Sequence, residues 1–473
     1  MILRLVLVIL LLLASPVSIL ASPNDRATDA VRDLLKIPTS DRQYIRYLTC
    51  WYVPPVDRQE FYFLMATHLN KLSRKGTLRL PVLLRDDLFR IDMRWYGWDH
   101  AVWERLTANP HFHESLVDQN DKDKKEVRAL AAWVDSTLHG ALVQLTKSKV
   151  PIVAAPWFLI QTGAAKDRVA GYYDWLGIKD RKSYFQLIGL DEKVSIARQR
   201  EFAAIVRRSG IAQRPRQVFR HGANDFGAWR TLDVIKASTR KRNAVDRLDQ
   251  DYQHDVEEHF GFLPNGLFCY LLCDQKGIRA DTAPDEVGPD TSSTSVRTVV
   301  EPMISCVRCH TEGLRPIDDF ARRQFALLRL DINAKDYKKV ERIQQLYLRD
   351  YEHWLTRDNR DYQYALAQIG GPAWTPQRVS LAYKRFWKTY ADDDLTPRTA
   401  AAELGTSAEH LLVSMRRWTK PVAQGGLGQR LPNSWGAFLQ VPPSGLVRDH
   451  FEEHYALGQL VIRGVLPLVK VKP

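Results

Sequence analysis

The sequence predicts an α+β protein, mainly α with a minor β region, helical through its C-terminal half around a Cys-x-x-Cys-His motif. Three observations carry this. From Ile317 onward, apolar residues recur at helical spacing in almost every segment. Ala228–Ile235 and Phe260–Leu272 instead have strand composition, with Pro264-Asn265-Gly266 as turn chemistry inside the second. The composition, 45% hydrophobic and 26% charged, is globular, and 473 residues exceed one ordinary domain.

At the N-terminus, Arg4 precedes the apolar run Leu5–Leu13, and Ala14-Ser15-Pro16 breaks it. Residues 1–21 therefore read as an export signal cleaved after Ala21; the alternative is an uncleaved anchor, since Ile2–Leu20 is nearly long enough to span a bilayer. Residues 24–165 read as an N-terminal helical domain with a short β-hairpin. Its helices fall at Thr28–Leu35, Gln43–Trp51, Asp57–Leu72, Asp99–Leu106 and Glu126–Leu145. The hairpin strands flank Asp86-Asp87, and Val150–Ile160, with Pro151 and Pro156, reads as a buried connector. Residues 166–300 form a mixed α/β segment with a strand pair, including helices at Asp167–Trp175 and Glu192–Arg208 and a surface loop at Ala283–Ser295. In residues 301–473, helices fit Ile317–Leu330, Asp336–Leu348, Tyr362–Ile369, Val379–Tyr390, Pro397–Leu404, Ala408–Arg416 and Leu446–Ile462.

The net charge is +13, spread along the chain, with Arg240-Lys241-Arg242 the densest run. A solvated basic surface accounts for it, and such a surface suits an acidic protein partner. Leu395–Ser407 resembles the opening of a helix-turn-helix with Gly405 at the turn, but an exported chain does not meet chromosomal DNA, so no nucleic-acid partner is expected. Gly425-Gly426-Leu427-Gly428-Gln429-Arg430 lacks the strand and lysine of a phosphate loop, and His450 with His454 reads as a solvated helix face.

The chemistry concentrates at Cys306-Val307-Arg308-Cys309-His310, the spacing of covalent c-type haem attachment. Residues three apart share a helix face, so both thiols can reach one porphyrin edge. His310 follows at once and can turn to the iron as the proximal ligand. Five cysteines are too few for a disulfide scaffold, and of the three left over one or more reads as a buried apolar thiol. A zinc site combining Cys269, Cys273, Cys306 and Cys309 is the main rival, and a redox dithiol a further one. Against zinc, Cys269 and Cys273 on one strand would stand far apart along it. For the sixth iron position, Met303 is too close to the motif and Met415 reads as core, which leaves His221 and His254 as distal candidates. Pro316 is a candidate for orienting His310 through its carbonyl.

Phe262-Leu263-Pro264-Asn265-Gly266-Leu267, Tyr270–Gly277 and Ser305–Leu314 together resemble large single-haem c-type cytochrome domain proteins of planctomycete-like bacteria. Arg46-Tyr47-Leu48-Thr49, Phe89–Arg94 with Trp98-Asp99, Ser209-Gly210 to Arg220-His221, and Ala400–Gly405 are similar to further segments of that family. Trp51 and Pro156 depart from its pattern, standing where a histidine and an acidic residue are expected. The resemblance implies a cytochrome c-like domain over 301–473, one covalent haem c and electron transfer, and it raises His221 and His254 as ligands, His254 slightly ahead. The expected protein is exported to the periplasm or an equivalent space and passes electrons to a redox partner protein. It meets a membrane only through an uncleaved N-terminal anchor. The competing classes are a haem peroxidase or oxidase with an open sixth position, a non-catalytic haem sensor, and a structural zinc-binding protein.

Overall fold

Ile45-Arg46-Tyr47-Leu48-Thr49 carries β-branched and aromatic residues among apolar ones, and every residue of the run is buried. It forms the inner strand β1 (Ile45–Thr49) rather than part of the helix its apolar spacing predicts. A strand covered on both faces has no polar alternation, so it mimics the pattern of a buried helix. The protein is described by a computed structural model over residues 23–108, 138–165, 170–198, 200–206, 215–223, 226–236, 253–284, 287–290, 299–327, 335 and 337–464. The predicted export signal and the Arg240-Lys241-Arg242 run lie outside the described residues. No helix among the described residues is long and apolar enough to cross a membrane.

The chain divides into two units, and neither is continuous in sequence. One comprises residues 1–62, 81–160 and 389–473, the other 63–80 and 161–388. Consecutive domains at 24–165, 166–300 and 301–473 are therefore not how the contacts cluster. Residues 63–80 group with the second unit and 389–473 with the first. The first unit holds a four-stranded sheet. There β1 lies antiparallel to β3 (Leu88–Asp92) and parallel to β4 (Ile152–Ala154), with β2 (Val82–Arg85) outside β3, giving the order β2-β3-β1-β4. The expected hairpin is β2 and β3. The expected connector is instead β4 and the start of a helix, Ala155–Gly163. Val31, Leu34, Tyr47, Leu142 and Ile152 pack into one core between this sheet and the helices Pro23–Leu35 and Leu138–Thr146. Helices Pro397–Glu403 and Ala408–Thr419 meet at Gly405, whose φ of +78° makes the turn the sequence predicts there.

The second unit is built on a five-stranded antiparallel meander in chain order. Its strands are β5 (Phe202–Val206), β6 (Arg216–Ala223), β7 (Phe226–Asp233), β8 (Val256–Phe262) and β9 (Phe268–Asp274). The predicted helix over Glu192–Arg208 stops at Ala197, and β5 follows, again a fully buried run. β8 and β9 are the predicted strand pair, joined through Pro264-Asn265-Gly266.

Register sorts the sheet into two faces, because directly opposed residues share a side. Val218, Trp229, Thr231, Glu258, Phe260 and Tyr270 lie on one face. The long helix Glu352–Gly370 covers part of it: Asp358 accepts from Arg220 and Trp229, and Tyr362 stacks on Phe268 at 4.0 Å. The other face carries Gln217, Phe219, His221, Glu257, His259 and Cys273. Ala321, Phe325 and Tyr347 cover one end of it, and Tyr184 and Phe185 set their rings against His259 at the other.

Candidate haem-attachment site

The motif forms one short helix, Ile304–Cys309, packed against the helix Pro376–Trp387. The backbone enters it through strain. Met303 has φ +69° and ψ −68°, and Ile304 N–H donates to the Pro302 carbonyl at 3.0 Å, which closes a γ-turn of the rare, positive-φ kind. A non-glycine residue held there costs about 1–3 kcal/mol. The surrounding packing holds it, since Met303 is fully buried. One turn on, Arg308 pairs with buried Asp290 at 2.7 Å, which anchors the helix.

Cys306 is buried and Cys309 partly accessible. Burial pushes the Cys306 thiol well above its ordinary pKa, so it is a neutral thiol rather than a thiolate.

His310 ends the helix, its N–H donating to the Cys306 carbonyl at 2.8 Å. Its Nδ1 lies 3.0 Å from the Gly313 carbonyl oxygen. An acceptor there assigns the proton to Nδ1 and leaves the Nε2 lone pair free. Burial lowers the imidazole pKa to about 4, so the ring is neutral at ordinary pH. Phe260 lies against it, ring centroids 4.4 Å apart. The orienting carbonyl is therefore that of Gly313 and not of Pro316, which lines the neighbouring cavity.

Gly313 is required twice. Its φ is +91°, and a Cβ there would stand 2.5 Å from Asn359 Oδ1. Asn359 in turn clamps Leu314, accepting from its N–H at 2.7 Å and donating to its carbonyl at 2.9 Å. The loop that orients His310 is thus held from the Glu352–Gly370 helix.

A cavity of about 320 Å³ opens beside Cys309 and His310, between them and the sheet face that carries Val218, Trp229, Glu258 and Phe260. Val218, Trp229, Phe260 and Leu314 give it apolar and aromatic walls, and Arg216, Arg230, Glu258, Arg315 and Asp318 add charge. Arg216 bridges Asp233 and Glu258, donating from Nε to Asp233 at 2.8 Å and from Nη2 to Glu258 at 3.1 Å. Burial raises the Glu258 carboxyl pKa, and the Arg216 guanidinium opposes the shift. Trp229 donates its indole N–H to Asp358 at 2.7 Å.

The donor chemistry is that of a covalent haem site: two thiols stand three apart on one helix, and a neutral imidazole keeps Nε2 free. Of the two thiols, Cys309 lines the aromatic-walled cavity and Cys306 is buried behind it.

The structure does not bring the two distal candidates to this site. His221 belongs to the other sheet face, with Nδ1 3.3 Å from Glu201. His254 binds Glu257 at 2.7 Å, and Glu257 also faces that side. Of the described residues lining the cavity, His310 is the one histidine, and none is a methionine. The four-cysteine zinc arrangement is not assembled either. Cys269 accepts from Tyr172 at 3.6 Å, Cys273 lies 3.6 Å from His259, and both point to the face away from the cavity that Cys309 lines. Strand period explains this: four residues of strand separate the two side chains by about 13 Å.

Sequence reasoning missed Gly313, Asn359 and Phe260 as parts of the site. The glycine three residues after the histidine was a usable signal. Asn359 carried none, since it comes from a helix far along the chain. Comparison with known protein families, curated proteins and solved structures finds no match for this chain.

Proposed function

We propose that this protein is a c-type haem redox protein, holding one haem through thioethers to Cys306 and Cys309 with His310 Nε2 as the proximal ligand. The observation that carries the reading is the His310–Gly313 hydrogen bond. It fixes the tautomer and aim of a neutral imidazole beside two thiols at attachment spacing. When bound, the haem supplies one-electron redox chemistry, at a potential tuned by ligands and surroundings. The chain's part is to hold the ring, exclude water with Trp229, Phe260 and Leu314, and keep His310 unprotonated. Cys306 is buried, so a thioether to it would have to form on a chain not yet closed around that thiol. Single-electron exchange with an acidic partner suits the +13 charge.

A second reading has its own support. No other histidine and no methionine among the described residues lines the cavity, which favours an open sixth position and small-ligand or peroxide chemistry.

The test is expression of the full chain with haem-attachment machinery, followed by intact mass and reduced absorption spectra. One haem mass should be added, and Cys306→Ala with Cys309→Ala should abolish it. An unchanged mass in the unaltered protein refutes the proposal. Carbon monoxide binding separates the two readings: rapid binding supports the open position, and an inert six-coordinate spectrum supports the carrier.

A further inference from the structure

The opposite face of the same sheet carries a second group of donors, separate from the haem motif. Glu257 on β8 stands directly opposite Cys273 on β9, and His259 follows two residues along on the same side. All three are almost wholly buried, at 2% exposure for Glu257 and His259 and 1% for Cys273. Glu257 Oε2 is 2.7 Å from His259 Nε2. Cys273 Sγ is 3.6 Å from that same oxygen and 3.6 Å from that same nitrogen. Among the described residues, this is the one group of three or more such donors whose ligand atoms all converge within 4.8 Å.

We propose that Glu257, His259 and Cys273 bind a divalent transition-metal ion of the zinc class through Oε2, Nε2 and Sγ. Tetrahedral zinc bonds sulfur at about 2.3 Å and nitrogen or oxygen at about 2.0–2.1 Å, which sets sulfur–nitrogen and sulfur–oxygen edges of about 3.5 Å. Both sulfur edges here have that length. The nitrogen–oxygen edge is a hydrogen bond and must open by roughly half an ångström to reach its tetrahedral value near 3.3 Å. One thiolate, one imidazole and one carboxylate suit zinc rather than magnesium or calcium, which take oxygen.

The surroundings already aim the donors. The other Glu257 oxygen, Oε1, accepts from His254 Nε2 at 2.7 Å and from Arg181 Nη1 at 2.5 Å. Oε2 is thereby turned toward His259 and Cys273, the outer support that metal sites need. This gives His254 a role: it positions a metal ligand instead of binding iron. Burial opposes the Glu257 charge, but hydrogen bonds from His254, His259 and Arg181 outweigh it and hold the carboxyl well below the usual carboxylate range. Binding releases the Cys273 thiol proton to solvent and moves the His259 proton from Nε2 to Nδ1, so one proton leaves per ion and no oxidation state changes.

The test uses the full chain carrying Cys306→Ala and Cys309→Ala, so that the haem thiols cannot supply ligands and the haem proposal is not at stake. The protein is stripped with chelator and titrated with cobalt(II), then zinc(II). One equivalent of cobalt should bind with a near-ultraviolet thiolate-to-cobalt charge-transfer band, and zinc should displace it. Cys273→Ser should remove the band and lower zinc affinity by about 100-fold or more, while Cys269→Ser keeps both. Should Cys273→Ser fail to fold by circular dichroism, a Cys50→Ser, Cys269→Ser variant leaves Cys273 as the sole thiol and must still show the band. Absence of stoichiometric binding, or a band that survives loss of Cys273, overturns the assignment.

Discussion

The Nδ1 of His310 and the carbonyl of Gly313 are 3.0 Å apart, and the Gly313 N–H returns to the His310 carbonyl at 3.1 Å. Histidine and glycine thus close one small loop in which backbone geometry decides which ring nitrogen is free. Everything proposed for the motif depends on that loop keeping its shape.

Gly313→Ala should open it. The new Cβ must adopt φ +91° and meets Asn359 Oδ1 at 2.5 Å. A loss of about 1–3 kcal/mol in urea unfolding is expected. In haem-loaded protein, the midpoint potential should shift as the imidazole loses its fixed partner. A variant with unaltered stability and potential would show that the loop does not orient His310.

Asp358 is fully buried, bound by Arg220 at 3.0 and 3.1 Å and by the Trp229 indole. Asp358→Ala strands the buried Arg220 cation. It should cost about 3–5 kcal/mol, read as a lower urea midpoint at constant slope. Asp358→Asn, which keeps an acceptor for Trp229, should cost less.

His68 is fully buried between Tyr383 at 3.0 Å and Thr162 at 2.6 Å, and burial, reinforced by Lys71, lowers its pKa to about 3. Its folded pKa lies below the unfolded value of 6.5. The unfolded chain therefore takes up the proton first. Stability is intact above about pH 6.5 and falls by up to about 1.4 kcal/mol per pH unit as pH drops toward 3. His68→Asn should flatten this part of the profile, measured as urea midpoint against pH. Identical profiles for the two proteins would contradict the assignment.

Lys147, exposed, follows the helix Leu138–Thr146 with φ +55°. That backbone favours glycine, and no buried contact is lost on removing the side chain. Lys147→Gly should stabilise the protein by about 0.5–1 kcal/mol in thermal or urea unfolding. Destabilisation instead would mean that the lysine makes a compensating contact.

The helices after Ile317 were legible because each is amphipathic, and a half-covered helix writes its period into the sequence. The strand pair Val256–Phe262 and Phe268–Asp274 was legible through its turn. β1 and β5 were not, because both are buried on every residue and lose the alternation that marks a strand. The split into two discontinuous units was hidden because nothing local announces that residues 63–80 group with 161–388, or 389–473 with 1–62 and 81–160.

Of the site, the sequence alone determined the thiol spacing and the adjacent imidazole, since covalent attachment needs only residues neighbouring in the chain. Tertiary structure decided the rest. Strand register put His221 on the face away from His310 and gathered Glu257, His259 and Cys273 there, and Glu257 holds His254 by a hydrogen bond. A one-residue change of parity moves a side chain to the other side of a sheet, and parity is set by pairing with distant strands. That is why the sequence could mark two thiols and an imidazole side by side, yet not which groups would face them.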